Sequence, residues 1–246
     1  MSNRETVLSG KELHKSFGPK ENRRHILKGV SFELFSGEIL GIVGESGSGK
    51  STILKLICGI EKPDSGELVY KDKAYTGMGP EKTGKFLQMI FQDAYGSFDP
   101  RITMEKSLRE GSNASEEEMV RVIEEVGLTK ELLGRKPRHL SGGQCQRMSV
   151  ARALLGHADV LLCDEVTSAL DVTSQAQVVK MIEEVRKISN ISIIFVSHDL
   201  ALVSNICDRV IVLKDGEIVD SGVTADVINN PTSDYTKKLL DSVIDI

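Results

Sequence analysis

The stretch Gly44 to Thr52, GESGSGKST, gathers the groups best suited to holding a phosphate chain. Glycines at 44, 47 and 49 let the backbone turn tightly and aim N–H groups at an anion, helped by the positive N-terminal end of the helix behind them. Glu45, Ser46 and Ser48 complete the loop. Lys50 brings a point charge for β- and γ-phosphates, the Ser51 hydroxyl is placed to ligate Mg²⁺, and Thr52 can reach the α-phosphate. Apolar runs on either side, Ile39 to Val43 and Ile53 to Ile57, give the order strand, glycine loop, helix. A ligand-free glycine turn accounts for the glycines but not for that order.

Further polar residues stand at the ends of apolar runs. Phe86 to Phe91 reads as a buried strand delivering Gln92, and Val160 to Cys163 as another, running into Asp164 and Glu165. Neighbouring side chains on a strand point to opposite faces. One carboxylate can therefore support Mg²⁺ beside Ser51 while the other polarises a water at the γ-phosphate. Ile191 to Ser197 delivers His198. In parallel sheets the strand C-termini line the ligand crevice, which favours a shared site over unrelated loop residues. Leu140 to Gln144, LSGGQ, precedes a helical run from Cys145 to Leu155, and Ser141, Gly142, Gly143 and Gln144 make a second anion-receiving helix start. One nucleotide does not need both, so the second contact is expected to serve a different molecule.

These residues must be held by a sizeable framework, and 246 residues with 40% hydrophobic and 27% charged content suffice for an α/β domain with a smaller lobe. Val7 to Phe17 and Ile26 to Phe35 alternate loosely, as half-buried antiparallel strands do. Phe17 lies where an adenine ring could stack, with core packing as the alternative. Lys50 to Ile57 is a helix closed by Gly59. Ser115 to Glu118 reads as a capping box, followed by one apolar stripe at Met119, Val122, Ile123 and Val126. Asp215-Gly216 signals a type I′ hairpin between Arg209–Lys214 and Glu217–Asp220. The net charge of −5 supplies no global field for nucleic acid. No run approaches the roughly 18–20 apolar residues of a membrane span and the N-terminus lacks an apolar signal core, so a cytoplasmic protein is expected. The four cysteines, Cys58, Cys145, Cys163 and Cys207, fall singly and read as buried free thiols.

Taken in order, these motifs resemble the ATP-binding cassette (ABC) ATPase family over almost the whole chain. Walker A matches Gly44 to Thr52, the glutamine loop Phe91-Gln92-Asp93, the signature Leu140 to Gln144, and Walker B Val160 to Glu165. The D-loop matches Ser168 to Asp171 and the switch histidine His198. The resemblance implies a single α/β domain over 1–246: a P-loop NTPase (RecA-like) core with an antiparallel β subdomain and an inserted α-helical subdomain. Residues 1–92 and 159–230 would form the nucleotide-binding core with its β subdomain, 93–158 the helical lobe with the signature, and 231–246 a helical tail. It implies ATP and Mg²⁺, with Glu165 as general base, His198 and Lys50 on the developing charge, and Mg²⁺ held through Ser51, Gln92 and Asp164. Ser141 and Gly143 would reach the γ-phosphate of a partner's nucleotide across a head-to-tail dimer.

Tyr95 to Arg101, YGSFDPR, and the tail from Asn230 to Leu240 resemble the ATPases of oligopeptide, dipeptide and nickel importers. Ala94 and Val166 depart from the prolines common at those positions, which bears on loop stiffness. With no cysteine beyond Cys207, no iron–sulfur centre is expected. The resemblance implies two membrane permease subunits, a second ABC ATPase with a heterodimer favoured, an extracytoplasmic solute-binding protein reached indirectly, no nucleic acid, and a place on the cytoplasmic face of the cell membrane. The competing readings are an exporter or lipoprotein-release ATPase, and a nucleic-acid-processing relative, which would carry long insertions or a basic face.

Overall fold

The computed structural model describes residues 5–168 and 172–244. Of the Ser168 to Asp171 segment, residues 169–171 lie outside the described residues, as do 245–246 of the tail.

In chain order, β1 (Thr6–Phe17) and β2 (Arg24–Phe35) lead to β3 (Ile39–Val43), whose end opens into the glycine loop and α1 (Lys50–Ile57). There follow β4 (Ser65–Tyr70), β5 (Lys73–Ala74), α2 (Pro80–Thr83) and β6 (Leu87–Ile90). Three helices come next: α3 (Met104–Arg109), α4 (Glu116–Glu125) and α5 (Gly142–Leu155). The chain then alternates β7 (Val160–Asp164), α6 (Val172–Ser189), β8 (Ser192–Ser197), α7 (Leu200–Ile206) and β9 (Arg209–Lys214), and ends with β10 (Glu217–Val223), α8 (Thr224–Asn229) and α9 (Asp234–Ile244). Among the described residues no helix is long and apolar enough to cross a membrane.

Two sheets result. An antiparallel one has the order β2-β1-β4-β5, and a six-stranded one has the order β10-β9-β3-β8-β7-β6. The five strands from β9 to β6 run parallel, so their C-terminal ends share one edge. That edge carries the glycine loop after β3, Gln92 beyond β6, Asp164 and Glu165 at β7, and His198 after β8.

The parallel strands are buried on both faces, and alternation divides their side chains between two clusters. Leu40, Ile42, Leu162, Ile194, Val196 and Ile211 pack with α1 and the antiparallel sheet. Ile39, Val43, Leu161, Cys163, Ile193 and Phe195 pack on the other side with the helices from 104 to 155, α6 and α7. One sheet thus carries the loop-bearing half on one face and the helical half on the other, each with its own buried cluster. The Asp215-Gly216 turn has φ of 48° and 83°, the two left-handed residues a type I′ hairpin needs. All four cysteines are free and buried.

Two local expectations change. Helix α5 begins at Gly142, not Cys145, because Ser141 caps it: its Oγ accepts from the Gln144 N–H and Gln144 Oε1 accepts from the Ser141 N–H. At α4 the capping box is half formed. Ser115 accepts from the Glu118 N–H, but the Glu118 carboxylate turns to His157 at 3.0 Å and Arg121 at 3.8 Å.

Candidate functional site

The glycine loop is fixed from outside by its neighbours. A Cβ at Gly44 would lie 2.2 Å from the Leu213 carbonyl oxygen, and Gly49, at φ 113°, would drive one to 2.7 Å from Leu27 Cδ2. Glycine is therefore required at both by this chain's own packing. The Ser48 carbonyl accepts from the Gly216 N–H at 3.0 Å, so the β9–β10 turn braces the loop. Gly49 caps α1 without any side-chain hydrogen bond, leaving the first helical N–H groups facing the cavity without a competing side-chain acceptor. That cavity, about 430 Å³, is lined by Phe17, Arg24, Ile26, Ser46, Gly47, Gly49, Lys50, Ser51, Thr52, Gln92 and Glu165.

Lys50 is 4% exposed, and its ammonium donates to the Gly44 carbonyl at 2.7 Å and the Glu45 carbonyl at 3.0 Å, with Glu165 Oε1 at 3.7 Å. Burial pulls its pKa below the ordinary value, against the opposing charges of Glu165 and Asp164. Ser48 is buried, and its N–H bonds to the Glu45 carbonyl at 3.2 Å instead of facing the cavity. The Glu45 N–H points outward to Tyr235. Only part of the loop's N–H set therefore faces inward. Phe17 lines the cavity wall and is 38% exposed, so it is not a buried core side chain.

Glu165 is the hub of the strand ends. Its backbone is left-handed at φ 46°, a conformation non-glycine residues rarely adopt, and is pinned by its N–H donating to the Val196 carbonyl and its own carbonyl accepting from the Ser168 N–H, both at 3.1 Å. This kink, not strand alternation, separates it from Asp164, the last residue of β7. Around its carboxylate stand Lys50, His198 Nδ1 at 3.5 Å and Gln92 Nε2 at 3.4 Å. Gln92 also donates to Ser168 Oγ at 3.1 Å. His198 is otherwise open, its side chain 57% exposed.

Ser51 Oγ faces Asp164 Oδ1 at 3.5 Å. Burial first, then the charge of Glu165, raise the Asp164 pKa. A hydroxyl and a carboxylate facing each other, with the Gln92 amide on the same cavity wall, form a hard oxygen set that fits Mg²⁺, which keeps several waters and phosphate oxygens as ligands. Among the described residues no group of three or more His, Cys, Asp and Glu could hold a metal ion.

Ser141, Gly142, Gly143 and Gln144 do not line this cavity. A Cβ at either glycine would meet nothing within 4 Å, so neither is demanded by the chain's own packing. The Tyr95–Arg101 segment is held from α5: Arg152 donates to the Ser97 carbonyl at 2.7 Å and stacks over the Phe98 ring, 4.3 Å from its centroid. Sequence reasoning missed Arg24 and Ile26 in the cavity wall, Ser168 beside Gln92, and Tyr235. The two-residue alternation of β2 with Phe17 opposite Arg24 could have suggested the first pair, whereas Tyr235 has no local signal.

The sequence profile of the family described as ABC transporter matches residues 27–168, more than half of the chain. The oligopeptide transport ATP-binding protein OppF of Escherichia coli (strain K12) is 40% identical over 227 residues, 87% of this chain and 68% of that protein. AppF of Bacillus subtilis (strain 168), also an oligopeptide transport ATP-binding protein, is 36% identical across 98% of this chain and 79% of its own length. The dipeptide transport ATP-binding protein DppF of Haemophilus influenzae is 37% identical across 93% and 73%. Among solved structures, cbiO1 from Clostridium perfringens, part of the ABC transporter complex cbiONQ, superposes with a TM-score of 0.81 at 26% identity, covering 92% of each chain. The ATP-binding cassette MJ0796, as a post-hydrolysis dimer bound to ADP and Pi, does so with 0.78 at 25% identity, covering 89% of this chain and 99% of that one.

Proposed function

This chain belongs to the ABC transporter family, and from that premise we propose that it is the ATPase subunit of an importer of oligopeptides or dipeptides, with nickel or a chelated metal as the alternative cargo. The carrying observation is the convergence of Lys50, Gln92 and His198 on one carboxylate, Glu165, at the wall of the phosphate-loop cavity. The names of OppF, AppF and DppF support the peptide cargo, and no second reading is favoured by a comparable observation.

In this reading ATP lies along the loop with its adenine toward Phe17 and its phosphates over Gly47, Gly49, Lys50, Ser51 and Thr52. The Lys50 ammonium exchanges its carbonyl partners at Gly44 and Glu45 for phosphate oxygens. Glu165 takes a proton from a water whose oxygen attacks the γ-phosphorus, the bond to the β–γ bridging oxygen breaks, and ADP and phosphate result. His198, exposed beside Glu165, swings over the γ-phosphate and offers a donor to the developing charge. Mg²⁺, held through Ser51, Gln92 and Asp164, would neutralise phosphate charge.

The signature residues Ser141 to Gln144 act on the nucleotide of a neighbouring cassette, because their glycines face open space while the chain's own cavity excludes them. That neighbour is a related ATPase or a second copy, and the dimeric MJ0796 supports the arrangement by analogy. Membrane permease partners would place the chain at the inner membrane face. The exposed apolar side chains Ile60, Met78, Phe91 and Tyr95, two of them flanking Gln92, supply a surface for that contact.

Purifying the chain with its membrane partners and measuring uptake of a labelled oligopeptide, a dipeptide and nickel tests the proposal. Peptide uptake that stops in Lys50→Ala is expected. Nickel uptake without peptide uptake would overturn the cargo, and purification without hydrophobic partner chains would overturn the importer.

A further inference from the structure

The peptide plane between Gly44 and Glu45 is held at both ends. Its carbonyl, on Gly44, accepts from the Lys50 ammonium at 2.7 Å, and its N–H, on Glu45, donates to the Tyr235 phenolic oxygen at 3.0 Å across 190 residues of sequence. Tyr235 is 9% exposed and belongs to the core cluster under α7. The Lys214 ammonium stands over its ring, 5.0 Å from the centroid. The segment before it is anchored as well: Asp220 Oδ2, on β10, accepts from the N–H groups of Thr232 at 2.9 Å and Ser233 at 3.2 Å, and Ser233 Oγ accepts from the Tyr235 N–H at 3.1 Å. The tail is thus built to deliver one phenol oxygen to the outer side of the phosphate loop.

The two clamps differ in permanence. When Lys50 turns to phosphate oxygens it releases the Gly44 carbonyl, and one hydrogen bond then fixes the orientation of that peptide plane. A plane free to rotate would move the neighbouring loop atoms out of the shape that receives the phosphates, and ordering it would cost affinity. We propose that Tyr235 is a positioning residue for nucleotide binding, keeping the Gly44–Glu45 peptide in its receiving orientation while Lys50 serves the phosphates. By linkage, nucleotide and tail docking strengthen each other by the same factor. The inference rests on the reading that a nucleotide occupies this loop.

Tyr235→Phe keeps the ring and removes the acceptor. The non-hydrolysable analogue AMP-PNP with Mg²⁺ should bind this variant about fivefold more weakly than the wild type, the size of one neutral hydrogen bond. The KM for ATP should rise with kcat within about twofold, because the lost contact acts on binding and not on the reacting atoms. Amide exchange at Glu45 should accelerate while Tm falls by no more than about 2–4 °C, a combination that general loosening does not give. Asp220→Ala, which unties the tail while leaving Tyr235 intact, should weaken AMP-PNP in the same direction. Unchanged affinity in both variants, with wild-type binding intact, would overturn the inference, as would unchanged exchange at Glu45. A wild-type chain that fails to bind AMP-PNP would instead sink the nucleotide reading on which it stands.

Discussion

The start of α1 and the start of α5 both place glycines at the head of a helix, yet they are built in opposite ways. At α1 the cap has no side-chain hydrogen bond, Gly44 and Gly49 are pressed by backbone and core, and a buried lysine supplies the charge. At α5 a reciprocal Ser141–Gln144 box satisfies donors within the chain, and a Cβ added at either glycine would touch nothing. Glycine at Gly44 and Gly49 is thus explained by the fold, whereas the chain's own packing does not demand glycine at Gly142 or Gly143. In the proposed function they are two halves of a site that a single chain does not close.

The strongest way to break this contrast is at the chemistry that belongs to the α1 side alone. Glu165→Gln should lower ATP turnover by about 10²-fold or more, the scale of a positioned base, while ATP affinity persists. Near-normal hydrolysis would remove Glu165 from the mechanism. Next comes the fold itself: Gly44→Ala forces a Cβ against the Leu213 carbonyl and should cost about 3 kcal/mol, a fall in Tm of roughly 6–12 °C. Gly143→Ala sharpens the comparison because it should do the reverse. Hydrolysis in the assembled transporter should fall at least about tenfold, whereas Tm of the isolated chain should hold or rise by about 1–3 °C, since alanine outperforms glycine where space is open. A large loss of Tm would show that glycine 143 serves the fold after all. The smallest effect on stability is expected at Asp164→Asn. The raised pKa marks the ionised carboxylate as disfavoured in the fold at neutral pH, so the neutral variant, measured with EDTA at pH 7.5, should melt higher than the wild type while losing hydrolysis.

Much of this was legible wherever a backbone requirement or a period leaves a mark on residue type. The parallel strands appear as unbroken apolar runs, the Asp215-Gly216 turn declares its left-handed residues, and the glycine loop announces itself by spacing. Glu165 does not, because a left-handed glutamate has no compositional signature and its kink is imposed by hydrogen bonds to Val196 and Ser168. The α5 start is a case where the signal was present: Ser141 with Gln144 three residues on is a capping pattern, and two glycines obscured it. At α4 the same pattern promised too much, since the Glu118 carboxylate meets His157 and Arg121 and not its own N-cap. Tyr235 lay beyond any local rule, because its hydrogen-bond partner, the Glu45 N–H, lies 190 residues away in sequence.

The two-halves account is tested most directly at position 141. A photo-crosslinking amino acid placed there in the ATP-loaded Glu165→Gln transporter, purified with its own partners, should yield a crosslinked peptide from the phosphate loop of the neighbouring cassette. Crosslinks confined to the same chain, or reaching the permeases without the neighbouring loop, would contradict it.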